Sequence, residues 1–397
     1  MKKTLLAAAL MAGFAGIAHA DTSVTLYGII DGGVGYNQLK GSGTAVLNKD
    51  GDVVIGNVWS NTRPDSFKNK RTGLISGIQS GSRWGLKGSE DLGNGLRAVF
   101  VLESGFDLGT GNSGQGNRLF GRQATLGLAG DSWGQLDFGR QTNIASKYLP
   151  GVMDPFGAGF DQANAGASLS AANTARYDNM VMYQTPNFSG FQFGVGYSFN
   201  VNQDQKGEKT IAGVKTKTDK HALTTGLRYV NGPIGAALTY DQFKDRNGVL
   251  ANGSGDVTAK SWAAAFSYDF EVVKLHLGGG QTRDGMFAVQ SYAKESFLPS
   301  FTGLKGLRVN SYVAGLTAPV GAGKIMASWQ MADLDKAPEA YRGPGFESKK
   351  QQTYSLGYTH PLSKRTNVYA IGSYAKNVHF APDAKATLVG VGLRHQF

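Results

Sequence analysis

Ser82-Arg83-Trp84-Gly85-Leu86-Lys87-Gly88-Ser89-Glu90-Asp91-Leu92-Gly93-Asn94-Gly95-Leu96-Arg97-Ala98-Val99-Phe100-Val101-Leu102-Glu103 decides the fold. Trp84 and Leu86 share one face, with Arg83 and Lys87 opposite. After the glycine-rich turn at 91–95, Leu96, Ala98, Phe100 and Leu102 alternate with a face that carries Arg97 and Glu103. A period of two with one polar face describes a strand that separates two solvents. The same pattern recurs along the chain. Phe191, Phe193, Val195, Tyr197 and Phe199 form one stripe. Leu223, Thr225, Leu227 and Tyr229 form another, as do Trp262, Ala264, Phe266, Tyr268 and Phe270. Ile325, Ala327, Trp329 and Met331 follow, then Tyr354, Leu356 and Tyr358. The last stripe is Val389, Val391, Leu393 and Phe397, opposite Arg394 and Gln396.

Sixteen segments from Thr25 onward have strand character. A soluble β-sandwich would also alternate, so the connections decide. Short turns fall at 91–95, 130–132, 186–189, 231–233, 269–272, 319–321 and 361–363. Longer polar connections lie between them, at 37–79, 106–117, 142–175, 201–218, 245–256, 284–305, 333–348 and 377–384. Tight turns on one side and long loops on the other are the arrangement of outer-membrane barrels. An even strand count lets the first and last strands meet, leaving no edge for lipid to strand. The expected fold is therefore all-β: a sixteen-stranded antiparallel transmembrane barrel, one domain over 21–397.

The N-terminus fits an export signal over residues 1–20: Lys2 and Lys3, an apolar run from Leu5 to Ala18, and the cleavage pattern Ala18-His19-Ala20. Lys2 and Lys3 leave with it, so the 40 basic and 29 acidic residues of the whole chain become 38 and 29, net +9. No later apolar run is long enough for a spanning helix. Zero cysteines exclude a disulfide framework and thiolate chemistry. Glycine is abundant (57 residues) and proline scarce (11), while 11% aromatic content argues against a disordered or collagenous chain. A mean hydropathy of −0.24 suits a barrel in which only alternate residues meet lipid.

The segment from Thr142 to Ala175 is long, rich in Gly, Ala, Asn and Ser, and without alternation. Connections of that length in a compact domain are usually functional. We expect it to fold into the tube and narrow it. It carries Asp154, Asp161 and Lys147, while the strands around it carry arginines.

Several stretches resemble the trimeric general-diffusion porins of the outer membrane in their β-proteobacterial and neisserial form. They include Val24-Thr25-Leu26-Tyr27-Gly28, Gly81 to Gly93, Phe100-Val101-Leu102-Glu103-Ser104-Gly105-Phe106 and Leu119-Phe120-Gly121-Arg122-Gln123. Asp137-Phe138-Gly139-Arg140-Gln141, Arg176-Tyr177-Asp178-Asn179 and Gly392-Leu393-Arg394-His395-Gln396-Phe397 complete the set. The resemblance implies a homotrimer of barrels, a third external loop folded into the lumen, and passive flow of small hydrophilic solutes. It also implies that Phe397 is read by the outer-membrane assembly machinery. By the same resemblance, Arg83, Arg122, Arg140 and Arg176 are the wall arginines of a pore constriction. Asp154 is the loop acid opposite them, where other members often have Glu, and Asp161 is a second candidate.

Opposed charges across a wet constriction orient water and set ion preference. Arginines at the throat and the net charge together predict a modest preference for anions. Arg83 alternates cleanly away from Trp84 and Leu86. Arg122 and Arg140 share parity with Leu126 and Leu128 and with Leu136 and Phe138. For these two, either a bulge shifts the register, or the face lies in a subunit contact or above the lipid. Arg118 and Lys87 are further candidates. Lys40, Lys49, Arg63, Lys68, Lys70 and Arg71 form a basic first loop suited to lipopolysaccharide phosphates or neighbouring subunits.

No catalytic, cofactor or metal signature emerges. His221, His276, His360, His379 and His395 are scattered without ligand spacing. Gly111-Asn112-Ser113-Gly114-Gln115-Gly116 opens no helix, so it is not read as a phosphate cradle. Export argues against nucleic acid as a partner. The alternatives are a solute-selective channel, which needs an aromatic rail along the lumen, and an adhesin or receptor barrel acting through its long loops.

Overall fold

The computed structural model describes residues 23–47, 53–56, 58–201, 207–211, 214–218, 220–293 and 303–397. The expected leader, 1–20, and Lys49 lie outside the described residues.

Sixteen barrel strands follow one another in chain order. They are β1 (Ser23–Leu47), β2 in two pieces (Asp65–Ser76 and Arg83–Gly93), β3 (Leu96–Gly105), β4 (Gln123–Gly130), β5 (Gly134–Thr142), β6 (Arg176–Gln184), β7 (Phe191–Ser198) and β8 (Ala222–Asn231). There follow β9 (Ile234–Leu250), β10 (Gly253–Asp269), β11 (Lys274–Arg283), β12 (Arg308–Val320), β13 (Gly323–Lys336), β14 (Gln351–Pro361), β15 (Thr366–Lys376) and β16 (Lys385–Gln396). Each pairs antiparallel with the next. The ring closes where residues Ile29 to Lys40 of β1 run against Gln396 to Lys385 of β16. Phe397 completes the seam, its N–H donating to the Gly28 carbonyl at 3.2 Å and its carbonyl accepting from the Gly28 N–H at 3.1 Å. Closing the ring removes the free sheet edge that lipid could not satisfy.

The two faces of this sheet reverse the pattern of a soluble protein. Leu126 (63% exposed), Val34, Leu74, Leu238, Leu356 and Val391 stand on the outer face. Thr224, Asp241, Ser261, Thr282, Ser311, Gln330, Thr353 and Ser373 are buried on the opposite one. Apolar side chains outward, with polar ones among those inward, recur around the sheet, which is the transmembrane arrangement.

Two connections expected as loops are mostly strand. Within 37–79, β1 continues to Leu47 and β2 begins at Asp65. Within 245–256, β9 and β10 continue to Leu250 and Gly253. Beyond the lipid both faces meet water, so alternation fades while ladder hydrogen bonds persist. The break in β2, at 77–82, is pinned by Asp31. The Asp31 carbonyl accepts from the Gly77 N–H at 2.9 Å, its N–H donates to Ser82 Oγ at 3.1 Å, and its carboxylate accepts from the Ser80 N–H at 2.8 Å. Part of 201–218 is a small separate hairpin, Gly207–Ile211 with Val214–Thr218.

Candidate functional site

The charged group grows from five neighbouring strands. Glu103 lies near the end of β3, in one hydrogen-bonded row with Gly85 of β2 and Tyr27 of β1. Tyr27 donates its hydroxyl to Glu103 Oε2 at 3.0 Å. Arg122, just before β4, sets Nε 2.6 Å from Glu103 Oε1, and Arg83 Nη1 lies 4.0 Å from the same oxygen.

Asp178 in β6 is the second anchor. Arg118 Nη1 reaches its two carboxylate oxygens at 2.7 and 2.9 Å, and Arg140 Nη1 lies 2.5 Å from Oδ1. Arg140 also donates from Nε to the Gly121 carbonyl at 2.8 Å. Alternation alone would set Arg140 beside Phe138 on the outer face. The β5–β6 register explains the exception. Gly139 pairs with Met180 but Gln141 pairs with Tyr177, so one residue opposes two. Gly139 takes φ +122 and Asn179 takes φ +50, the left-handed backbone such a bulge requires.

Arg176, the first residue of β6, lies within electrostatic reach of Arg122, Arg140 and Arg83. Its Nη1 donates to the Thr174 carbonyl at 3.4 Å, and its Nε is buried without a partner. Among the described residues no carboxylate lies within ion-pair distance of it. Four guanidinium groups thus share two carboxylates, and the fifth, Arg176, has none among the described residues.

The segment from 143 to 175 carries a short helix, α1 (Ile144–Tyr148), and three single turns of tighter helix. It packs along the polar face of successive strands. Asn143 caps α1 through its Oδ1, which accepts from the Ser146 N–H, and its Nδ2 donates to Asp241 Oδ1 of β9 at 2.7 Å. The Ile144 N–H donates to Thr224 Oγ1 of β8 at 2.8 Å. The Val152 carbonyl is 3.0 Å from His276 Nδ1 of β11. Farther round, Gln330 of β13 donates to the Ala163 carbonyl, Gln351 of β14 to that of Ala167, and Gln162 donates to the Ser373 carbonyl of β15. Phe160 stacks edge-on against Tyr369 with centroids 5.7 Å apart. Two wall glycines permit the close approach: a Cβ on Gly278 would stand 2.6 Å from Met153, and one on Gly315 would stand 2.4 Å from Pro155.

Asp154 does not meet the arginines as expected. Asp154 is 0% exposed. Its Oδ1 accepts from the Phe156 N–H at 2.8 Å and its Oδ2 from Gln330 Nε2 at 2.9 Å. Burial pushes its carboxyl up to about 8. It is a strut between segment and wall, not a free charge, because the short Asp side chain turns back onto its own backbone. Asp161 is half-buried. It accepts from Gln290 Nε2 at 3.3 Å and lines a cavity of about 260 Å³ with Arg71, Asn37 and Ser291. Lys147 is held below its ordinary value by burial, against the countering Asp137 carboxylate.

The carboxylates that do hold the arginines, Glu103 and Asp178, lie within the motifs quoted above but were not singled out as site residues. Both stood in view in the sequence: Glu103 opposite an apolar stripe, and Asp178 two places after Arg176. Among the described residues no cluster of three or more His, Asp or Glu side chains is placed to hold a metal.

A closed sixteen-strand sheet, apolar outside and polar within, defines a transmembrane β-barrel. The chain belongs to the Gram-negative porin family, whose model matches residues 7–379. It is 54% identical over its whole length, and that of the relative, to an outer membrane porin protein of Bordetella pertussis. It is 32% identical, again over both full lengths, to outer membrane porin protein 32 of Delftia acidovorans. Among solved structures it is similar to an anion-selective porin from Comamonas acidovorans, with a TM-score of 0.65 and 27% identity over 95% of this chain and 100% of that one. Its place is the cell outer membrane, and its family and fold are those of diffusion channels.

Proposed function

We propose that the barrel passes small hydrophilic solutes and ions by passive diffusion with a modest preference for anions. Arg83, Arg122, Arg140 and Arg176, joined by Arg118, line its narrowest part. The observation that carries this reading is the charge imbalance: five guanidinium groups, two carboxylates, and Arg176 without an acid among the described residues. The similarity to a porin described as anion-selective supports it. The segment 142–175 is the natural constriction, since it lies along the polar face of strands whose other face meets lipid. Of its two acids, Asp161 is the one that retains access to water. Fixed charges in such a throat repel co-ions and draw counter-ions.

The chain works as a single barrel domain over 21–397 after loss of 1–20, in a homotrimer, among outer-membrane lipids and lipopolysaccharide. Phe397, whose backbone seals the barrel seam, serves as the assembly signal. The reversal potential across a potassium chloride gradient tests the central claim. A sign reporting anion flow is expected, and clear cation preference would overturn it. Liposome swelling with sugars of rising size separates this reading from the alternatives. A smooth cutoff fits a porin, saturation a solute-selective channel, and no swelling an adhesin.

A further inference from the structure

The inner face of β1 and β2 holds a cavity that the arginine cluster does not use. Arg71 of β2 pairs with Asn37 of β1. Asn37 shares parity with the buried Asp31 and Leu39, not with the outward Val34, so both side chains face the lumen. The next inward position on β2 is Gly73, where a Cβ would meet nothing within 4 Å. The wall is therefore hollow at this point. Asp161 of the segment 142–175 and Ser291, beyond β11, line the other side of the hollow, whose volume is about 260 Å³. It stands apart from the throat arginines. Arg83 pairs with Ile29, whereas Arg71 pairs with Asn37, eight positions farther along β1 toward the end with the long connections. At ~3.3 Å per residue that is roughly 26 Å along the strand.

The polar groups of this hollow are of mixed sign. Arg71 is exposed and makes no ion pair among the described residues. Asp161 supplies a carboxylate, one oxygen of which accepts from Gln290 Nε2 at 3.3 Å. Asn37 is 5% exposed, and its Oδ1 is buried with no hydrogen-bond donor. Gln290 Oε1, on the amide beside Asp161, is likewise buried without a partner. Both orphan atoms are acceptors, and leaving a buried acceptor unpaired costs free energy. They call for a ligand that brings N–H donors. A plain anion brings none and meets the Asp161 carboxylate, while a plain cation meets Arg71. A molecule carrying both charges satisfies every group. The volume falls below the ~300–1,000 Å³ of pockets for drug-sized ligands, so that molecule is small.

We propose that this hollow is a binding site for small zwitterions, an α-amino acid or a dipeptide, on the external side of the throat. Arg71 holds the carboxylate, for which a guanidinium offers two parallel N–H donors. Asp161 and Asn37 Oδ1 accept from the ammonium group. The site rests on the reading of the barrel as a solute channel and adds a solute class to it. A net-neutral molecule gains little from a field that gathers anions, and paired charges at the entrance supply the attraction it lacks.

The test uses the full-length mature protein refolded in detergent, with saturation-transfer NMR reading ligand binding. The probes are L-alanine and L-alanyl-L-alanine, with propionate and ethylammonium as the single-charge halves. The wild type should bind one or both zwitterions saturably, and roughly tenfold or more tightly than either half, since a hydrogen bond to a charged group is worth about that factor. By the same measure Arg71→Gln and Asp161→Asn should each weaken zwitterion binding roughly tenfold or more. Arg71→Lys keeps the charge but loses the fork, and should restore only part of the binding. Equal binding of L-alanine and propionate by the wild type would overturn the proposal whatever the variants do. So would undiminished binding by Arg71→Gln. The reversal potential is a separate readout. Channels that prefer anions yet bind no zwitterion would sink this site alone, and channels that bind it yet prefer cations would sink the anion reading alone.

Discussion

Arg176 offers the cleanest perturbation of selectivity, because replacing it with Gln removes a charge without orphaning a carboxylate. Among the described residues its one hydrogen bond is to the Thr174 carbonyl at 3.4 Å, and a Gln amide can keep it. For an ion passing ~6 Å from the guanidinium in water, Coulomb's law gives about 0.7 kcal/mol. Screening over a Debye length of ~10 Å at 0.1 M salt reduces this to about 0.4 kcal/mol, roughly a factor of two in partition. Losing the charge lowers the anion term and raises the cation term by that factor, so the permeability ratio should fall about fourfold. At 1 M salt the Debye length is ~3 Å, and the same change should fall below about 1.5-fold. The assay is the reversal potential across a potassium chloride gradient at both ionic strengths. Arg97→Gln is the control, since Arg97 pairs with Asp131 at a tight turn, 2.8 Å away and outside the cluster. An unchanged ratio at 0.1 M, or a shift of equal size at 1 M, would refute a water-screened throat charge at Arg176.

Three further outcomes follow from the same geometry. Glu103→Gln releases Arg122 and Arg83 from their shared partner, so anion preference should rise by a similar factor, read in the same assay; an unchanged ratio would show that Glu103 is remote from the ion path. Gly315→Val sets a side chain where a Cβ would already lie 2.4 Å from Pro155. Overpacking of this kind costs about 1–3 kcal/mol, and single-channel recording should show altered conductance or open-channel noise in a barrel that still folds. Asp154→Asn should flatten a pH dependence. With a folded value of about 8 against the ordinary 3.8, the folded protein keeps a proton that the unfolded chain releases. Stability from this group is full below pH ~4, declines as pH rises to ~8, and is level above, a loss on the order of 5 kcal/mol. Thermal unfolding at pH 5 and pH 8 should therefore diverge in the wild type and converge in the variant; equal pH slopes in the two proteins would remove Asp154 as the cause.

The barrel was legible because lipid imposes a binary demand on every spanning residue. Phe191, Phe193 and Tyr197, or Leu356 and Val391, announce a face whatever their partners do. That demand stops at the lipid border. Residues 37–47 and 65–76 therefore read as loop although they form the outer ends of β1 and β2. The same holds at 245–256, where β9 and β10 continue to Leu250 and Gly253. The parity of Arg140 with Leu136 and Phe138 stands in the sequence as a conflict open to several readings, and only the pairing of Gly139 and Gln141 with Met180 and Tyr177 shows that a bulge resolves it.

The site was harder to read than the wall, and Asp154 shows why. A motif fixes residue type at a position along the chain, whereas the direction of a side chain in an irregular segment depends on contacts from distant strands. Asp154 is drawn away from the arginines by Gln330, 176 residues later, and by its own neighbour Phe156. The arginines are neutralised in part by acids on their own wall, Glu103 and Asp178, because strands hold side chains at fixed spacing and an irregular segment does not. A throat charged in this way keeps its arginines in place even if the segment shifts. Selectivity should then depend on the wall and aperture on the segment, so substitutions at Arg176 and Gly315 should act on separable properties of the same channel.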